Sequence, residues 1–154
     1  MQTLQSLRQL VAFNEWANRR MIASLRAFNS AKAIRALSHL LIAEKEWMTR
    51  MRNNEDSTGF DFWKAQTLDE CEALASEMAK AYAEFVADLS EEKLENVAIY
   101  KNSKGIEYKT SFRDILTHVL FHSMAHRGQV AMALRADGGE PLWSDYIVFV
   151  RERR

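Results

Sequence analysis

The sequence contains few of the residues that interrupt helices, with one proline and five glycines among its 154 residues. Both residue types weaken a helix interior and mark turns, so their scarcity favours long helices and argues against a β fold with many turns. The chain also has a single cysteine, Cys71, which excludes an internal disulfide and is typical of a reducing compartment. Nothing in the residues around Cys71 marks it as a nucleophile.

The sequence has no net charge, because 21 basic residues balance 21 acidic ones. No overall field therefore attracts the protein to nucleic acid or to an anionic membrane. No stretch approaches the roughly 18 uninterrupted apolar residues that a membrane span requires, and residues 1–8 lack the continuous apolar segment of a signal peptide. We therefore expect a cytoplasmic protein without a nucleic-acid or membrane partner, folded as one domain over residues 1–154.

Apolar side chains at intervals of three and four residues predict four long amphipathic helices. Their expected ranges are 3–28, 31–52, 67–89 and 112–136. Ser30, Thr67 and Ser111 stand where the second, third and fourth helices need an N-cap. Thr67 and Glu70 also have the spacing of a capping box.

The remaining segments complete an all-α fold. Residues 97–100 and 106–109 flank a turn that contains Gly105, which predicts a short β-hairpin before the fourth helix. Ser144 is the expected N-cap of a short C-terminal helix. The connection of residues 53–66 carries three aromatic side chains and is expected to pack back over the helices. The predicted architecture is a four-helix bundle with a hairpin and a short final helix.

Histidines are the most informative side chains of the sequence. His118, His122 and His126 are spaced four residues apart in the predicted fourth helix, and the remaining histidine, His39, lies in the second. Neighbouring members of such a series share a helix face, but the outer two Cα atoms are about 12 Å apart, too far for one ion to bind all three. This predicts a metal site made by His39 and one adjacent pair, either His118 with His122 or His122 with His126. The alternative is a set of core or surface histidines without a ligand.

Three histidines without a fourth protein ligand suit Zn, Ni or a related ion and leave coordination positions open to water or substrate. Open positions are typical of a catalytic site rather than a structural one. The chain has no His-Glu-x-x-His motif, which argues against a thermolysin-like protease.

Several polar residues are candidates to support such a site. Asn14 and Asn18 in the first helix either line a cavity or face solvent. Glu44 and Glu46 are close enough to His39 in sequence to accept a hydrogen bond from it, although charged residues on a helix more often face solvent. Arg127, directly after His126, is the last candidate, and each of these residues is equally compatible with a structural role.

Three motifs in the chain are typical of one known family. They are Asn14-Glu-Trp16-Ala17-Asn18, His39-Leu-Leu-Ile-Ala43-Glu44-x-x-Trp47 and His118-Val-x-x-x-His122-x-x-x-His126-Arg127-Gly128-Gln129. With these motifs the chain resembles, over almost its whole length, the DinB family of damage-inducible, DinB/YfiT-like four-helix-bundle proteins. The resemblance implies a divalent metal, Zn or Ni, held by His39, His122 and His126, with His118 a neighbour one turn away, as part of the core. It also implies a homodimer.

The same resemblance implies several functions, because the family fold hosts more than one activity. One is a metal-dependent enzyme acting on small molecules in stress or detoxification, either a hydrolase or a thiol S-transferase that uses a low-molecular-weight thiol. Another is a bundle that binds a metal ion without turnover. A third is a dimeric interaction protein whose histidine cluster is vestigial.

Overall fold

A computed structural model describes residues 3–153 as a helical bundle carrying one β-hairpin. Its elements are helices α1 (Leu4–Ala27), α2 (Ala31–Asn53) and α3 (Leu68–Asp88), a single 3₁₀ turn (Lys93–Glu95), strands β1 (Val97–Lys101) and β2 (Glu107–Ser111), and helices α4 (Phe112–Ala136) and α5 (Tyr146–Glu152). This confirms the predicted all-α bundle with a hairpin before the fourth helix and a short final helix. Over residues 3–153, no helix combines the length and apolar character needed to cross a membrane.

The predicted caps of α2, α3 and α4 are confirmed. The Ser30 and Ser111 hydroxyls accept hydrogen bonds from the backbone N–H groups of Ala33 and Asp114. Thr67 and Glu70 form the complete capping box, in which each side chain accepts from the backbone N–H of the other residue. These side chains satisfy backbone donors that have no partner within the helix.

The prediction for the final helix is wrong by one residue. Helix α5 begins at Tyr146, and its N-cap is Asp145 rather than Ser144. The reason lies in the backbone, because the Asp145 carbonyl accepts from the N–H groups of Val148 and Phe149 and so starts the helix one residue later. Asp145 makes no side-chain cap hydrogen bond.

Replacing Thr67 with alanine should lower the free energy of unfolding by about 1 kcal/mol, because the N-terminus of α3 loses its capping hydroxyl. Urea denaturation followed by circular dichroism measures this change. Thr49→Ala is the matched control, since the Thr49 hydroxyl bonds only the Lys45 carbonyl within α2 and caps nothing. An equal loss in both variants would contradict the capping role of Thr67.

Helices α2 and α4 form the most extensive helix pair of the bundle. Fully buried leucines of α2 and aliphatic residues of α4 belong to one continuous apolar core: Leu37, Leu40, Leu41, Ile115, Leu116, Val130 and Leu134. Helix α1 packs on α3 and α4. Because the apolar stripes of α2 and α4 face each other, side chains at the edges of those stripes meet across the same interface.

The connection after α2 is fixed to the hairpin. The N–H of Ser57 donates to the Lys101 carbonyl at 2.9 Å, and the N–H of Lys101 donates to the Glu55 carbonyl at 3.1 Å. Within the hairpin, Gly105 has φ +78°, the positive value that its turn position predicted. Beyond Ser57 the connection turns back across the bundle and places Phe62 against the core, as expected for its aromatic residues.

Candidate metal centre

Three histidines from two helices converge at the α2–α4 interface. His39 lies on α2, His122 and His126 lie on α4, and the ring nitrogens that could serve as ligands all lie within 4.8 Å of one another. The ring centroids are 4.4 Å apart for His39–His126, 4.4 Å for His122–His126 and 5.1 Å for His39–His122. The group contains only imidazole donors, with no carboxylate or thiolate.

Hydrogen bonds orient two of the three rings. His39 Nδ1 lies 2.9 Å from the Phe62 carbonyl oxygen, and because a carbonyl only accepts, Nδ1 carries the proton and Nε2 keeps a lone pair. His126 Nδ1 lies 2.7 Å from Gln129 Oε1, one helical turn ahead. Such outer partners fix the tautomer and the angle of a metal-binding histidine.

Trp63 covers one side of the cluster. Its ring stacks on His39 with centroids 3.7 Å apart and planes at 6°, and its edge faces His126 at 6.0 Å. His39 is only 7% exposed, whereas Trp63 is 44% exposed. His122 and His126 are partly exposed, so the cluster is shielded beside His39 and accessible beside the α4 histidines.

The surroundings of His39 and His122 favour the neutral form of these two imidazoles. Burial, and to a smaller extent the neighbouring histidines, lower the pKa of His122 to about 4. Burial also lowers the pKa of His39, against the opposing effect of the Phe62 hydrogen bond. Neutral imidazole is the form that binds a metal, and a set of three imidazole donors suits Zn, Ni, Cu or Fe rather than Mg or Ca. The donor set therefore fits a divalent transition-metal ion.

His118 lies outside this group. It is exposed, and its ring packs edge-on against Trp47 at 5.1 Å. The expectation that it joins the core is therefore wrong, because its position one turn before His122 faces the rim of the bundle near the hairpin. Of the two pairs that spacing allowed, the one that meets His39 is His122 with His126.

Glu44 and Glu46 neither accept a hydrogen bond from His39 nor face solvent, which were the two alternatives expected from the sequence. Glu44 and Glu46 are buried, with 3% and 6% exposure, so they do not face solvent. Neither contacts His39, whose acceptor is the Phe62 carbonyl. Glu46 instead accepts from the Ser57 hydroxyl at 2.6 Å, and Ser57 in turn accepts from Arg50 Nε at 3.1 Å.

Glu44 belongs to a buried polar network directly behind the histidines. Its Oε1 accepts from Asn14 Nδ2 at 2.7 Å, from Asn18 Nδ2 at 3.1 Å and from the Ser123 hydroxyl at 2.7 Å. Arg127 donates to Asn14 Oδ1 at 2.5 Å and to Asn18 Oδ1 at 2.8 Å. Asn14 and Asn18 are therefore buried, and they link a carboxylate on α2 to a guanidinium on α4. We call these five residues the polar network.

Arg127 is a buried cation, with 4% exposure. Burial lowers its pKa to about 10, against the opposing effect of Glu44, so the guanidinium remains charged at neutral pH. It also lies over the Phe13 ring, 5.5 Å from the centroid. Two of the five network residues, Ser123 and Arg127, directly follow the ligand candidates His122 and His126 in the sequence.

Some residues at the site were not identified from the sequence. The Phe62 carbonyl is a backbone group and leaves no sequence signal, and Ser123 was not singled out. Gln129 belongs to the histidine motif, but no role was predicted for it from the sequence. Its position three residues after His126 is nevertheless the spacing at which helical side chains meet. Trp63 was expected only to pack on the bundle.

Comparison with known proteins gives a family but no individual relative. No curated protein and no solved structure matches the chain. The model of the DinB family matches residues 1–153, which is essentially the whole chain. With this match, and with the helical fold and histidine cluster described above, the chain belongs to the DinB family.

Proposed function

We propose that this DinB-family protein is a metal-dependent enzyme acting on small molecules, by transfer of a low-molecular-weight thiol or by hydrolysis. In this proposal His39, His122 and His126 hold one divalent ion, Zn or Ni, and residues 1–154 act as one domain. The observation that carries the proposal is the convergence of three imidazoles, with no fourth protein donor in their group among residues 3–153. A set of three ligands leaves positions for solvent and substrate.

A bound divalent ion supplies Lewis acidity, which lowers the pKa of a water molecule or of a thiol and so generates a nucleophile at neutral pH. Residues around the cluster orient the histidine rings for metal binding. The Phe62 carbonyl keeps the His39 proton on Nδ1, Gln129 holds the His126 ring, and Trp63 covers one face of the His39 ring. The partial exposure of His122 and His126 allows a small solute to approach.

Elemental analysis and an activity screen together test the proposal. Untagged protein purified without chelator should contain close to one equivalent of Zn or Ni. The metal-loaded protein should then catalyse conjugation of glutathione, mycothiol or bacillithiol with monochlorobimane, or hydrolysis of p-nitrophenyl acetate, and activity should fall to background after chelation.

Two outcomes would contradict this proposal and support its alternatives. One equivalent of metal without turnover in any assay would favour a bundle that binds metal without catalysis. Protein that takes up no metal even when Zn and Ni are supplied would favour a dimeric interaction protein in which the cluster has no ligand. Sedimentation of the purified protein tests the expected homodimer separately.

A further inference from the structure

We propose that a pocket beside the histidine cluster binds the anionic group of a small organic substrate, whose body lies on an apolar surface. The pocket lies between the N-terminal part of α2 and the C-terminal part of α4 and has a volume of about 640 Å³. Its lining includes Lys32, Arg35, Trp63, Gln129, Met132 and Ala133. We call it the basic pocket. The inference rests on the proposed function for the claim that the bound anion is a substrate.

The basic pocket adjoins the candidate metal centre through shared side chains. Trp63 lines the pocket and stacks on His39 at 3.7 Å. Gln129 lines the pocket and contacts His126 Nδ1 at 2.7 Å. A molecule in the pocket can therefore contact one side chain that stacks on His39 and another that hydrogen-bonds His126.

The charge of the basic pocket has one sign. Lys32 and Arg35 are both exposed, they stand three residues apart on α2, and the lining contains no acidic residue. Within residues 3–153 neither side chain has a carboxylate at ion-pair distance. The Arg35 guanidinium lies over the Trp63 ring, 5.6 Å from its centroid. Two cations without counterions beside an open pocket complement a carboxylate, sulfonate or phosphate.

The two cations lie near the N-terminus of α2. Lys32 lies in the first turn of the helix and Arg35 directly after it, and the first turn contains no acidic residue. The helix dipole disfavours positive charge at an N-terminus and favours negative charge there. The two cations therefore gain nothing from the helix dipole, whereas a bound anion in the pocket would be stabilised by both of them.

The rest of the pocket is apolar and suits a small molecule. Met132 is 71% exposed and Trp63 is 44% exposed, and small alanines of α2 and α4 form the floor. A volume of several hundred Å³ with an apolar surface and a few polar groups is typical of small-molecule sites. The ligand class is therefore an organic anion with an aromatic or aliphatic body.

Isothermal titration calorimetry with 2-naphthoate and its neutral analogue 2-naphthamide tests the assignment. Chelator-treated protein should bind naphthoate about tenfold more tightly than naphthamide, because charge-assisted hydrogen bonds distinguish the two. The double variant K32Q/R35Q should bind the two probes equally, with naphthamide affinity unchanged. Using metal-free protein prevents the carboxylate from binding an ion directly.

The double variant K104Q/K109Q is the matched control, since it removes two positive charges from the hairpin, away from the pocket. It should keep the tenfold preference for naphthoate, and both variants should keep the circular dichroism spectrum of the parent. Equal binding of the two probes to the parent, or an unchanged preference in K32Q/R35Q, would overturn the assignment.

Failure of this inference can be distinguished from failure of the proposed function. Protein that binds no metal but prefers naphthoate through Lys32 and Arg35 has the anion pocket without the metal chemistry. Protein that binds one equivalent of metal and turns over a substrate, but does not distinguish the probes, retains the proposed function and loses the basic pocket as its substrate site.

Discussion

Replacing His122 with alanine is expected to reduce the affinity for Zn or Ni by at least about 100-fold, more than the loss typical for an outer hydrogen-bond partner of a ligand. His122 is one corner of the histidine triangle, with its ring centroid 4.4 Å from that of His126 and 5.1 Å from that of His39. Its removal would leave two imidazoles on opposite helices, and two ligands hold a tetrahedral ion poorly.

Competition titration of metal-free protein with a chromogenic chelator measures this change. His118→Ala is the matched control, because His118 lies one turn earlier on the same helix and outside the histidine group. We expect it to change the affinity less than threefold and to leave the bound equivalent of metal in place. If His118→Ala and His122→Ala lost metal equally, the ligand set proposed here would be wrong.

Replacing Arg127 with methionine is expected to lower the free energy of unfolding by about 3–5 kcal/mol, because one of two buried charges that compensate each other through Asn14 and Asn18 is removed. Arg127 is 4% exposed and Glu44 is 3% exposed. Without the guanidinium, the Asn14 and Asn18 side-chain oxygens lose their donor and the Glu44 carboxylate loses its compensating charge. Urea denaturation of metal-free protein measures the change without a contribution from bound metal.

A double-mutant cycle tests whether the contribution of Arg127 to stability depends on Glu44. Glu44→Gln in the Arg127→Met background should cost less than Glu44→Gln in the parent, because the carboxylate is already unpaired there. Arg135→Met is the control for a cation of α4 on the surface, and its effect should stay within about 0.5 kcal/mol. Additive effects of Glu44→Gln and Arg127→Met would mean that the polar network does not couple the two charges.

The bundle was predictable because its signals are local. Apolar periodicity located α1 to α4 within two residues at each end, and Thr67 and Ser111 cap where their side chains predicted. The His122–His126 pair was narrowed by spacing to one of two choices, and the motif resemblance named the one that meets His39. The helices, their caps and the two possible pairs each depend on residues within a few turns of one another, whereas the choice between the pairs came from the resemblance over almost the whole chain.

The orientation of Glu44 was not predictable in the same way. Glu44 looks like an ordinary surface residue of α2, because its partners Asn14 and Ser123 are 30 and 79 residues away in sequence. The hydrogen-bond donors that allow the Glu44 carboxylate to be buried are supplied by α1 and α4 where they pack against α2. The Phe62 carbonyl raises the same difficulty, since any residue at that position presents the same backbone acceptor.

The polar network constrains substitutions in the interior of the bundle, whereas the rim of the basic pocket lies outside this constraint. His122 and Ser123, like His126 and Arg127, are successive residues about 100° apart on α4, so the helix has one rotational setting that satisfies both the ligands and the network. The walls of the basic pocket come instead from Trp63 in the connection after α2 and from exposed side chains such as Met132. In the proposed enzyme, substitutions at the rim would therefore change substrate preference, while the interior that sets the histidine geometry stays the same.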